Sequence, residues 1–255
     1  MIHAPVWNTY DALAMSGRSL RAATRQLDAL LITVLLPVFL MLLFVYVFGS
    51  AMRVGTDYAD YVVPGVIILC AGYGASSTAV AVASDLQNGV IDRFKSMPIV
   101  GSSVLVGHVV ASVVANVLST SIVIGVAMLT GFRPTADFAA WLGVAGFLIL
   151  FIVALSWVST MIGLLVKSIE AASGMTFFVL FLPYLSSAFV PTDTMPKPLE
   201  LVSRYQPFTP MIETLRSLLL DTPMGNNGWI AAAWFGGMLV LAFAASTWLF
   251  DRVGR

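Results

Sequence analysis

The stretch Phe138-Ala-Ala-Trp-Leu-Gly-Val-Ala-Gly-Phe-Leu-Ile-Leu-Phe-Ile-Val-Ala-Leu-Ser-Trp-Val-Ser-Thr-Met-Ile-Gly-Leu-Leu-Val166 contains no Asp, Glu, Lys or Arg. A helix needs about twenty apolar residues to cross the roughly 30 Å hydrocarbon core of a bilayer, and this run exceeds that length. Its residues do not alternate apolar with polar, as the strands of a membrane β-barrel do. Five further runs have the same character: Ala29–Phe48, Tyr61–Ala83, Val104–Leu129, Ala171–Val190 and Trp229–Phe250, all equally free of Asp, Glu, Lys and Arg. The expected fold is an all-α integral membrane protein with six transmembrane helices.

Composition points the same way. Of 255 residues, 59% are hydrophobic and 10% charged, and the mean hydropathy is +0.93. Soluble domains carry about a quarter charged residues. Thirteen basic residues offset thirteen acidic ones, so no net field would recruit nucleic acid. Cys70 is the single cysteine and cannot form a disulfide within the chain. The N-terminus lacks a cationic segment followed by a short apolar stretch and a cleavage site, so the first run is expected to stay as an anchor. Internal repeats are absent, which argues against a duplicated transporter fold.

Orientation follows the flanking Lys and Arg. With the N-terminus inside, Arg18, Arg21, Arg25, Arg93, Lys95, Lys167, Arg252 and Arg255 are cytoplasmic, and Arg53, Arg133, Lys197, Arg204 and Arg216 are outside. That bias places both termini in the cytoplasm.

Residues 1–28 read as an N-terminal amphipathic segment. Within it Leu13, Leu20 and Leu27 recur along one side of a helix, and Arg18, Arg21 and Arg25 along another. Such a helix lies in the membrane interface or, alternatively, is solvated and supplies only positive charge. Residues 29–255 form the transmembrane domain, with two long connections at 85–103 and 191–228. In the first, Leu86, Val90, Phe94 and Met97 follow helical spacing and Pro98 stops the helix. An apolar ridge of this kind docks into a groove of a soluble partner or rests on lipid headgroups; spacing alone leaves both open.

Small residues step along two runs, at Ala71, Ala75, Ala79 and Ala83 and at Ala111, Ala115 and Ser119. They let helix backbones approach closely. Pro64, Gly72, Gly74 and Pro183 mark places where a helix can bend. Phe177, Phe178, Phe181 and Tyr184 cluster on the fifth run, lining a hydrophobic path or facing lipid or core.

Several chemistries have no residues to carry them. The chain has no Gly-x-x-x-x-Gly-Lys-Ser/Thr loop for phosphates. Its two histidines and one cysteine are too dispersed for a metal site. The runs offer no carboxylate for a proton relay, and no hydrolase constellation is present. Energy for any work done in the membrane is therefore expected from another molecule.

The order of two spans followed by Asp85-x-x-x-Gly89-x-x-x-Arg93-x-x-x-x-Pro98 resembles the membrane subunit of type-2 ABC exporters. Later segments extend the match: Phe189-Val-Pro-Thr-Asp-Thr-Met-Pro196, Gln206-Pro-Phe-Thr-Pro210 and Glu213-Thr-Leu-Arg-Ser-Leu218. Leu36-Pro-Val-Phe39 and Val45-Tyr-Val-Phe-Gly49 agree as well, and together these are most similar to the daunorubicin-resistance branch. The resemblance covers roughly residues 15–255. Many relatives have Glu where Asp85 stands, a longer arm for the same charge.

That resemblance implies a dimeric permease, of two copies or of sister chains, in a bacterial plasma membrane, moving amphipathic, drug-like or lipid-like compounds outward. ATP and Mg would sit on a separate ABC ATPase, with no cofactor, metal or catalytic residue in this chain. It implies that Asp85, Leu86, Gly89, Val90, Arg93, Phe94, Met97 and Pro98 contact that ATPase through a coupling helix. It also implies that 191–228 forms outer re-entrant helices, with Glu213 and Arg216 at a gate, Phe177, Phe178, Phe181 and Tyr184 being further pathway candidates. A cap lying flat on the bilayer is the other reading of 191–228. The alternative function is a six-helix secondary carrier or channel with no ATPase.

Overall fold

The computed structural model describes residues 27–49, 57–91, 102–166 and 168–252, with side chains from residue 34 onward except that of Ser102. Among the described residues every regular element is helical. Helix α1 (Leu27–Leu42) continues into a π-helical turn (Leu43–Phe48). Then come α2 (Tyr58–Gln87), α3 (Ser102–Leu129), α4 (Phe138–Leu165) and α5 (Ile169–Phe181), the last extended by a 3₁₀ turn (Leu182–Leu185). A second 3₁₀ turn (Thr192–Thr194) precedes α6 (Lys197–Tyr205), α7 (Phe208–Leu220) and α8 (Asn227–Arg252). The amphipathic segment expected at 1–28 lies outside the described residues, apart from the backbone of its last two.

Four helices, α2, α3, α4 and α8, are long and apolar enough to cross a membrane. Val34–Phe48 and Ile169–Leu185 are shorter apolar helices. The protein is thus an all-α membrane protein. Helix α2 is the most enclosed, packed by α1, α3, α4, α5 and α7. Its Ala71, Ala75, Ala79 and Ala83 are all buried, so this small-residue stripe serves packing within the chain. Pro64, Gly72 and Gly74 do not interrupt it; α2 is one helix from Tyr58 to Gln87.

The fifth apolar run departs from the expected continuous helix over Ala171–Val190. Helical structure ends at Leu185. Pro183 lacks an N–H for the ladder, and the Ser186 hydroxyl donates to the Pro183 carbonyl, a local bond that competes with helix continuation. Ser186 is extended, yet Ser186, Ser187, Ala188 and Phe189 are all buried.

Helix α7 is inserted among the long helices. Its Met211, Ile212, Leu215 and Leu219 are fully buried in the same core as Phe151 of α4 and Phe235 of α8. The Phe208 ring, at its start, lies 5.8 Å from that of Phe151 and 6.0 Å from that of Phe235. Its far end returns to the α3–α4 connection, where Thr135 N–H donates to the Leu219 carbonyl, 2.9 Å. At about 1.5 Å per residue, Phe151 stands roughly 20 Å along α4 from its start. Helix α7 therefore spans about half the length of α4.

Candidate functional site

Arg216 organises one end of the bundle. Only 8% of it is exposed, although it is a charged residue in a chain of apolar helices. Its guanidinium donates to the Tyr61 carbonyl through Nη2 (2.9 Å) and Nε (3.3 Å), to the Ser187 carbonyl through Nη2 (2.9 Å), and to Glu213 through Nη1. It also stacks 3.9 Å over the Tyr61 ring. The planar fork of arginine suits such multiple recognition, which a lysine cannot reproduce. The same extended turn is held from α2: Tyr61 Oη donates to the Ser187 carbonyl (2.9 Å) and Tyr58 Oη to the Phe189 carbonyl (3.1 Å). Irregular backbone is tolerated among membrane helices only where protein groups satisfy it. Here Tyr58, Tyr61 and Arg216 do so, and Arg216 also pairs with Glu213 three residues before it. On α6, Glu200 and Arg204 are 3.9 Å apart, with Arg204 exposed.

Beside this cluster runs a ladder of rings. Phe48 meets Phe44 (5.4 Å), Phe44 stacks on Phe189 (4.2 Å), Phe189 on Tyr184 (5.6 Å), and Tyr184 leads to Phe181 (6.1 Å) and Phe177 (6.4 Å). Phe177 and Phe181 are more than half exposed. Phe178 is not part of the ladder and is 74% exposed. A polar junction joins the ladder at Tyr184, whose Oη lies 3.4 Å from Tyr73 Oη. Three of the four aromatic candidates thus share one surface with α1.

At the opposite end, Asp85 and Leu86 lie in the last turn of α2 and do not begin a separate helix. Gly89 takes φ +66°, a left-handed conformation that costs glycine little, and its N–H donates to the Leu86 carbonyl, 3.1 Å. Helical conformation resumes at Val90 and Ile91. The register from Leu86 to Val90 is thereby broken by the turn. Ile91 is buried with Leu105, Trp157 and Phe250, which seats the start of the loop on the ends of α3, α4 and α8. Arg93, Phe94, Met97 and Pro98 lie outside the described residues. Asp85 Oδ2 accepts a hydrogen bond from His108 Nε2 of α3, 3.0 Å, a partner that spacing in the loop gave no means of finding.

The family model for the ABC-2 type transporter matches residues 10–220, most of the chain. This chain belongs to the ABC-2 type transporter family. It is also 28% identical over 191 residues to the daunorubicin resistance ABC transporter permease protein DrrB1 of Streptomyces coeruleorubidus, an alignment covering 74% of this chain and 68% of that relative. As a member of the ABC-2 type family the protein is a multi-pass transport subunit and not an enzyme. Both the Asp85 turn and the Arg216 cluster fall within the matched region.

Proposed function

We propose that this ABC-2 type transporter chain is the permease of an ATP-driven exporter. It crosses a bacterial plasma membrane six times with both termini inside, pairs with a second permease copy or a sister chain, and is driven by a separate ATPase. The observation that carries this reading is the similarity to a drug-resistance permease over most of both chains. The exposed rings of Phe177 and Phe181, next to the Tyr73–Tyr184 hydroxyl pair, suit amphipathic, hydrophobic substrates. The experiment is uptake of a fluorescent drug into inside-out vesicles carrying the chain and its ATPase, with ATP compared against a proton gradient.

Residues 191–228 are proposed to re-enter the membrane from outside. The burial of Leu215 and the depth of Phe208 against Phe151 support this over a flat cap. A cysteine at Leu215 should react with a membrane-impermeant maleimide at least tenfold more slowly than one at the exposed Asn226. Equal rates at the two positions would show a solvated loop.

A further inference from the structure

His108, Ser112, Asn116 and Thr120 recur at four-residue steps along α3, which sets them on one helix face. Ser112, Asn116 and Thr120 are buried, and the His108 side chain is 10% exposed. Polar groups inside a membrane protein are kept where they bond to each other, because lipid offers no substitute for water. Two bonds of this face cross between helices, one from His108 and one from Ser112. His108 reaches Asp85 in the last turn of α2, 3.0 Å. Asn116 Nδ2 donates to the Ser112 carbonyl (2.9 Å) and hydroxyl (3.2 Å), and the Ser112 and Ser156 hydroxyls share a bond of 2.8 Å that crosses to α4. Thr160 Oγ1 donates in turn to the Ser156 carbonyl, 2.8 Å. Helix α2 accommodates Asn116 through Gly74, where a Cβ would stand 1.9 Å from Asn116 Oδ1.

We infer that His108 is a positioning residue for transport: its bond to Asp85 ties together the two ends of the cytoplasmic loop. The Ser112–Asn116–Ser156 bonds then join that base to α4. The tie lies between the last turn of α2 and the second turn of α3. A push on the loop is thus delivered to α2, α3 and α4 as one body, and is not absorbed by the two helices splaying apart. The transport role rests on the reading that the loop docks an ATPase; the tie itself does not.

Two measurements separate those claims. Spin labels at the exposed Asn88 and Val110, on a Cys70→Ala background, report the α2–α3 separation in membrane-reconstituted permease. His108→Ala should broaden the distance distribution. The exchange of both residues (D85H with H108D) should narrow it again, which loss of packing alone would not allow. An unchanged distribution in His108→Ala, or an exchange no narrower than the single variants, overturns the tie. With the ATPase present, His108→Ala should bind it as the parent does yet lose at least tenfold in drug moved per ATP hydrolysed, and the exchange should recover to within about threefold. Unchanged transport per ATP in His108→Ala overturns the positioning role. If no ATPase binds the parent chain, the functional reading fails while the distance measurement still decides the tie.

Discussion

Replacing Arg216 with Ala is expected to remove most of the folded permease. An exposed ion pair contributes about 0–1 kcal/mol, and its loss would pass unnoticed. Arg216 is in the other regime: it is buried, paired with Glu213, and fills the acceptor sites of two carbonyls from distant segments. Removing it takes the charged donor from the Tyr61 and Ser187 carbonyls, and a hydrogen bond to a charged group contributes about 1.5–3 kcal/mol. Net stabilities of roughly 5–15 kcal/mol leave little margin for that. Arg216→Ala should therefore lower the midpoint of thermal aggregation in detergent by well over about 5 °C. Arg216→Lys should fall between, since an ammonium keeps the charge without the fork. A midpoint unchanged in Arg216→Ala would mean that α7 is not seated on the Ser186–Phe189 turn as described.

The second large effect is expected at the loop between α2 and α3, the proposed ATPase contact. If Phe94 enters a groove of the ATPase, Phe94→Asp places a charge there at a cost of several kcal/mol. Each 1.4 kcal/mol is tenfold in affinity, so co-purification of the ATPase should fall by about a hundredfold or more. Expression and membrane insertion should be unaffected, because the substitution lies outside the apolar runs. Full ATPase recovery with Phe94→Asp would remove the coupling assignment.

Much of the architecture is legible from hydrophobic run length. The run Phe138–Val166 returns as α4, Phe138–Leu165, and its start is fixed by Asp137, whose side chain accepts from the Ala140 N–H at 2.7 Å. Runs three and six likewise return as α3 and α8. Run five exposes the limit of this reasoning, because apolarity reports burial and not helicity. Ser186–Phe189 is buried but not helical, and what supports its carbonyls comes from Tyr58, Tyr61 and Arg216, far away in the chain. No local pattern announces such long-range satisfaction.

At the candidate sites the same division holds. The pairing of Glu213 with Arg216 is readable from their three-residue spacing, whereas the carbonyls that complete the cluster are not. Asp85 stands out in its loop motif, but its bond to His108 depends on how α2 and α3 pack. One signal was present all along. The polar stripe His108, Ser112, Asn116, Thr120 has the same period as the neighbouring Ala111, Ala115, Ser119 stripe and lies one residue along from it. Weighing polar residues as well as small ones on each helix face would have revealed it.

The central claim is that this permease moves its substrate outward at the expense of ATP hydrolysed on a separate subunit. Inside-out vesicles from cells expressing the chain with its ATPase test it most directly, with a fluorescent amphipathic drug as substrate. The account predicts uptake that requires ATP, survives an uncoupler, and disappears when either subunit is omitted. Uptake that proceeds without the ATPase and collapses with the proton gradient would contradict it and identify a secondary carrier.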